Sequence, residues 1–388
     1  MPSTNTMMEK YELAALDEGF EGAEKKMEID FVPITGEDPE TIPVEAGMRT
    51  YRREFWSDVV ALLNGTILLY DPQERFDCYL ISESSLFVYN DRVVILTCGT
   101  TLLLKTLPVM IKAAKDIGLE VSWFQYSRKN FLFPEKQHFP HTSFDCEVDY
   151  LQEVFPQGRP FVMGPMTSDH WYLFVADFIR RESVNGNRKI VDKDQMLNVY
   201  MYDIDASVAQ LFMRADSLIL PSIFRNSEED GDADKDKLEK VEEAKNAQDF
   251  CATTEEATER SGIGKLMPDG GVVHSHLFEP CGYSMNGQAG NGAAYWTIHI
   301  TPEAHCSYAS FETNYACPSY HELIQRVVAT FRPKRLTTVE HIDQDSCIST
   351  SGPVAPVELD GYRMQGRTLN EFGCKDYVVQ LCNFECRQ

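Results

Sequence analysis

Two short apolar runs, residues 86–89 and 92–96, are separated only by the polar pair Asn90-Asp91. Two residues can reverse an antiparallel pair of strands, but a parallel crossover needs a dozen or more. The segment therefore predicts a tight hairpin, and it commits this part of the chain to an antiparallel sheet. Further strand-like runs lie at 172–178, 197–202, 294–301 and 307–313. In 294–301 strict alternation puts Tyr295, Thr297 and His299 on one face and Trp296, Ile298 and Ile300 on the other. Helix signals are fewer. Leu323, Ile324, Val327, Val328 and Phe331 recur at helical spacing before Pro333, and shorter candidates lie at 55–63 and 150–155. Thr100 or Thr101 is expected to cap a helix over 102–114 that ends at Gly118. The elements alone predict a mixed α+β chain with mainly antiparallel sheets and helices on their faces.

Composition removes several functions. At 43% hydrophobic residues over 388, there is apolar material for one large domain or two smaller ones. A net charge of −24 argues against nucleic acid as a partner, because phosphate binding needs basic patches, whereas an acidic chain suits cationic ligands. The longest apolar stretch, 93–104, is interrupted and too short to cross a bilayer, and residues 1–10 hold no signal-type apolar core. No G-x-G-x-x-G follows a strand, which speaks against a doubly wound nucleotide-binding sheet. The eleven cysteines form no C-x-x-C pair. No metal site is expected, and reduced thiols suggest a cytoplasmic location. Residues 228–259 carry thirteen acidic side chains and four lysines, −9 of the total charge. The stretch 226–260 reads as an acidic surface insertion.

Four motifs stand apart. The first is Ile81-Ser82-Glu83-Ser84-Ser85, followed by Thr97-Cys98-Gly99. The second is Cys281-Gly282-Tyr283-Ser284-Met285-Asn286-Gly287. The third runs from Tyr295 through His299 to Glu303, and the fourth is Gly19-Phe20-Glu21-Gly22-Ala23-Glu24-Lys25. Taken singly, each has an ordinary structural reading: a strand serine, a core cysteine, a satisfied histidine, an acidic turn. A cysteine hydrolase using Cys98 and His299 is also open on these residues alone.

Together the motifs resemble the eukaryotic S-adenosylmethionine decarboxylase family, with departures that look closer to its protozoan, trypanosomatid-like members. The resemblance implies a four-layer α/β/β/α sandwich with two mainly antiparallel sheets and a site between them. It implies one domain spanning 1–388, built from two similar halves. Cleavage between Glu83 and Ser84 would give chains 1–83 and 84–388 and convert Ser84 into a covalent pyruvoyl cofactor, an electron sink for the substrate amine. His299 and Ser284 would serve processing, and Cys98 would deliver a proton to the substrate. Cys98 precedes the expected helix start, a place where a thiol is readily ionised. Glu21 and Glu24 would belong to the catalytic charge network. Phe20 and Phe278 would sandwich adenine, Glu303 would hold the ribose hydroxyls, and Glu83 would also contact substrate.

Product formation would supply spermidine synthesis. In animal relatives an acidic cluster binds putrescine, and here Glu28, Asp194 and Glu312 align with it. Met196 and Asn198 replace a threonine and a glutamate, and Leu96 stands where a lysine is usual, which weakens the case for a diamine. Putrescine, an inactive paralogue and a second copy of the chain stand as alternative regulators. A catalytically inactive regulatory subunit of the same fold is the alternative reading of the whole chain.

Overall fold

The computed structural model describes residues 19–34, 47–82, 84–178, 195–214, 251–343, 346–348, 358–372 and 377–387. Glu83, Asp194 and the acidic stretch up to residue 250 lie outside them. Two eight-stranded sheets dominate, and neighbouring strands pair antiparallel. The first contains β1 (Lys25–Pro33), β2 (Ile67–Pro72), β3 (Asp77–Ile81), β4 (Ser84–Val88), β5 (Arg92–Thr97), β6 (Leu119–Lys129), β7 (Arg159–Met163) and β8 (Trp171–Asp177). Its spatial order is β2-β3-β4-β5-β1-β6-β8-β7. The second contains β9 (Gln195–Tyr202), β10 (Gly271–Leu277), β11 (Tyr283–Ala289), β12 (Ala294–Thr301), β13 (Tyr308–Thr313), β14 (Arg335–Asp343), β15 (Tyr362–Phe372) and β16 (Tyr377–Cys386). Its order, β10-β11-β12-β13-β9-β14-β16-β15, repeats that of the first, strand for strand.

Helices cover the outer faces. On the first sheet α1 (Arg53–Leu62), α2 (Leu107–Asp116) and α3 (Phe144–Val154) bury Trp56, Val60, Met110 and Leu151 among the strand side chains Met27, Ile29, Leu86 and Ile95. On the second, α4 (Thr254–Ser261) and α5 (His321–Phe331) bury Ala257, Ile324, Val327 and Phe331 against Val199, Met285, Ile298 and Phe311. Each large apolar side chain so buried contributes roughly 1.5–3 kcal/mol. With helices outside and sheets facing each other, the molecule is the expected α+β sandwich. Between the sheets, Phe87 of β4 stacks on Tyr295 of β12 at 4.2 Å.

Period-2 alternation decides what faces inward. In β12, Trp296, Ile298 and Ile300 join the helix-side core, while Tyr295, Thr297 and His299 face the other sheet, as the pattern predicts. Trp296 needs a glycine beside it: a Cβ on Gly287 would lie 2.1 Å from its indole nitrogen. The Asn90-Asp91 hairpin forms, with the Tyr89 N–H donating to the Arg92 carbonyl at 2.8 Å.

Two expectations need correction. α2 begins only at Leu107, after a 3₁₀ turn over Leu103–Thr106. Thr101 is not its cap, because its hydroxyl is used on Thr97 Oγ1 and the Cys98 carbonyl, both at 2.9 Å. The expected helix N-terminus beside Cys98 is therefore absent. In addition, the charge-rich stretch is not all surface insertion. Residues 254–261 form α4, capped by Thr253, with Ala257 fully buried.

Candidate active site

Ile81 pairs directly with Ser84, so only positions 82 and 83 join β3 to β4. Ser82 is held from both sides. Its N–H donates to the Thr66 carbonyl at 2.8 Å, and its hydroxyl accepts the Thr66 N–H at 3.0 Å. Just past this turn Ser84 has φ +148° and is fully buried. A non-glycine residue there is strained, and the fold must hold it in place. The distortion has a chemical result. Successive strand residues ordinarily face opposite sides, yet Ser84 and Ser85 both reach the same imidazole. His299 Nε2 lies 2.9 Å from Ser84 Oγ and 3.2 Å from Ser85 Oγ.

Across seven of the eight strands of the second sheet one pairing row is polar: His276, Ser284, His299, Ser310, Tyr200, Thr337, Asn383. This row places Ser284 Oγ 2.8 Å from His299 Nδ1. Thr297 Oγ1 and Glu24 Oε1 lie 2.8 and 3.6 Å from Nε2. Burial pushes the imidazole down to about 3, so it is neutral at physiological pH. With Nδ1–H donating to Ser284, Nε2 is a base aimed at Ser84.

Glu24 completes the cluster from β1's leading edge. Ser84 Oγ donates to its Oε1 at 3.1 Å. Burial raises this carboxyl to about 7, against a hydrogen bond from Ser310 and assisted by the charge of Glu312. It can accept or return a proton near neutrality.

Glu21 does something different. Its carboxylate accepts the N–H groups of Ala23 at 3.0 Å and Phe133 at 2.8 Å, and its carbonyl accepts that of Gly99. It ties the segments around Cys98 together and makes no described hydrogen bond to Ser84. Cys98 is nearly buried, one residue beyond Thr97, the cross-strand partner of Ser84.

The expected substrate contacts are linked to one another through shared neighbours. Phe20 is 40% exposed and thus available as a platform. Its backbone adjoins Cys306, whose N–H donates to the Glu303 carbonyl at 3.0 Å. Glu303 neighbours Cys281, whose thiol is raised to about 12 by burial and then by that carboxylate. Phe278, half-buried, lies beyond Gly282 and meets His276 edge-on at 4.7 Å.

Glu28 and Glu312, the described members of the expected diamine cluster, enclose a residue the motif reading passed over. Lys26 Nζ is 2.8 Å from Glu312 and 3.4 Å from Glu28, and it contacts Met196 Sδ. Glu312 is further bound by Asn198 Nδ2 at 2.7 Å and by the Tyr295 hydroxyl. Burial opposes the Lys26 charge, but the two carboxylates outweigh it and hold the ammonium above its ordinary range. Lys26 pairs with Leu96 across β1 and β5. The signal was present in Lys25-Lys26-Met27-Glu28, where period 2 puts Lys26 and Glu28 on one face. Asn286, within the Cys281–Gly287 motif, also joins the cluster, its Oδ1 accepting from Ser85 Oγ at 2.5 Å.

These features define a two-sheet sandwich with a buried Ser–His–Glu cluster at a strained hairpin between the sheets. The chain belongs to the adenosylmethionine decarboxylase family, whose pattern it matches over residues 17–385. Proteins named S-adenosylmethionine decarboxylase proenzyme are similar along most of their length. That of Dictyostelium discoideum is 36% identical over 93% of this chain and 85% of its own. That of Trypanosoma cruzi is 35% identical over 95% and 89%, and that of Xenopus laevis 33% over 92% and 93%. A crystal structure of a Trypanosoma brucei AdoMetDC-delta26 monomer aligns with a TM-score of 0.52 at 29% identity, over 78% of this chain and 100% of that one.

Proposed function

We propose that this chain cuts itself before Ser84 and then decarboxylates S-adenosylmethionine. The observation that carries the reading is Ser84 itself: buried, at φ +148°, with its Oγ 2.9 Å from a neutral His299. In processing, the hydroxyl attacks the carbonyl of residue 83. The C–N bond breaks as an ester forms, His299 takes up the hydroxyl proton, and Glu24 returns one to the nitrogen. Ser284 holds the imidazole from Nδ1. Removal of the Ser84 α-proton then expels the upstream carboxylate, and the dehydroalanine left at position 84 takes up one water and releases ammonia to become the pyruvoyl group. The serine fits conversion to a pyruvoyl group, because its side chain is already fully buried between two proton-transfer groups, His299 and Glu24. When bound, that group supplies a carbonyl that takes the substrate amine and accepts the electrons released with CO2.

The remaining residues bind and direct. Phe20 and Phe278 provide aromatic faces for adenine, and Glu303 provides two acceptor oxygens for ribose. Cys98 delivers the proton to the substrate α-carbon. No described contact favours an inactive subunit, since a chain without catalysis has no use for this serine–histidine geometry. Putrescine is not needed as an activator on this reading: Lys26 already supplies a cation to Glu28 and Glu312. No helix among the described residues is long and apolar enough to cross a membrane, and a cytoplasmic setting fits the substrate.

The test is intact mass under denaturing conditions, before and after borohydride reduction with substrate. Chains 1–83 and 84–388, the latter gaining substrate mass on reduction, are expected. A single chain that stays uncut on long incubation overturns the reading.

A further inference from the structure

The turn that follows Cys98 is gripped from both sides. Gly99 has φ +64°, and its N–H donates to the Glu21 carbonyl at 2.8 Å. Its carbonyl accepts from Lys25 Nζ at 2.9 Å and from Gln137 Nε2 at 3.2 Å. Lys25 Nζ also donates to Gln137 Oε1 at 3.3 Å, so the three groups close a ring. Lys25 is fully buried, and Gln137 is 5% exposed. The register brings this ring to the site: Thr97 pairs with Ser84 on one side and with Lys25 on the other. A buried ammonium is costly unless it is well used. Here its two described hydrogen bonds go to uncharged oxygens, one of them on the peptide next to Cys98. Burial lowers Lys25 to about 8, against the pull of Cys98 and then Glu147.

We propose that Lys25 and Gln137 are positioning residues that act through the Gly99 peptide to aim the Cys98 thiol at the substrate α-carbon, and so decide which carbon is protonated. The inference rests on Cys98 being the proton donor. Protonation at the substrate carbon leads, with one water, to the decarboxylated amine and an intact carbonyl at position 84. Protonation at the position-84 carbon leads, with one water, to an alanine terminus that keeps the nitrogen, while the substrate skeleton leaves as an aldehyde. The second outcome ends the life of the enzyme.

The experiment compares the full, matured chain with Lys25→Met, Gln137→Leu and Cys98→Ala. Each is incubated with excess S-adenosylmethionine and its large chain is sequenced from the N-terminus, where alanine is readable and a pyruvoyl group is blocked. Losing a charged hydrogen bond to Gly99 should raise alanine formed per turnover about tenfold in Lys25→Met, and losing a neutral one about threefold in Gln137→Leu. KM should stay within about twofold, because neither side chain touches the expected substrate groups. If Lys25→Met does not mature, Gln137→Leu decides alone. A rise in Cys98→Ala with none in the other variants overturns the positioning role. No rise in Cys98→Ala overturns the assignment of Cys98 itself.

Discussion

The unusual residue is Ser84, where backbone strain and hydroxyl chemistry coincide. A strand that kept its alternation would present either Ser84 or Ser85 to His299, whereas the positive φ presents both. His299→Ala should therefore slow chain cleavage about 10²-fold or more, the usual contribution of a placed general base. The rate at which the large chain appears on a denaturing gel measures this. Glu24 allows a thermodynamic test. Folded, its carboxyl titrates near 7; unfolded, near its ordinary 4.5. Its contribution to stability is complete below 4.5 and is lost as pH rises through 7. At about 1.4 kcal/mol per pH unit, that interval amounts to about 3 kcal/mol. In a Ser84→Ala background, which keeps the chain whole, Glu24→Gln should match its parent at pH 4.5 and exceed it by up to about 3 kcal/mol at pH 8 in urea unfolding. His299 has the opposite sign, gaining stability as pH rises from about 3 to 6.5, and is common to both chains, so it cancels. Equal pH slopes in the two chains would refute the assignment.

At the scale of elements, the β3–β4 hairpin is the unit that the proposed cleavage acts on. Its turn is pinned by Ser82 to Thr66. Ser82→Ala removes one of those two hydrogen bonds, worth about 1 kcal/mol, and should slow cleavage about fivefold while leaving the matured enzyme's KM unchanged. A time course of the uncut chain measures the first effect and substrate titration the second. The correction to α2 matters here as well. With its N-terminus at Leu107, α2 does not begin beside Cys98, and a positive group near the thiol among the described residues is the Lys25 ammonium.

On the scale of the whole molecule, one strand order is used twice and the site is built where the two copies face each other. That arrangement also encloses Lys26 with Glu28 and Glu312. Removing the ammonium leaves two buried carboxylates together, so Lys26→Ala should cost about 3–5 kcal/mol of stability. The same variant opens space beside negative charge. Millimolar putrescine should recover part of its lost activity, while changing the unaltered chain by less than about twofold. Thermal unfolding and initial rates, each with and without the diamine, measure both effects. Strong activation of the unaltered chain would show that Lys26 does not fill the diamine's place.

Local rules were enough for much of this protein. A two-residue turn, period-2 alternation in 294–301 and helical spacing in 321–331 are properties of neighbouring residues. They made the antiparallel sheets, the inward face of His299 and helix α5 legible from the sequence. The motifs around Ser84, Ser284 and His299 stood out only in combination, through their resemblance to one family, because each residue type alone has an ordinary structural reading. Tertiary structure alone decided what crosses between the sheets. Lys26 meets Glu312 at a separation of 286 residues, Gln137 reaches Gly99 from a loop, and Ser84 takes a backbone angle that no local preference favours. Such contacts arise because burial between two sheets forces each polar group to find a partner wherever the fold brings one. Sequence spacing carries no record of that search.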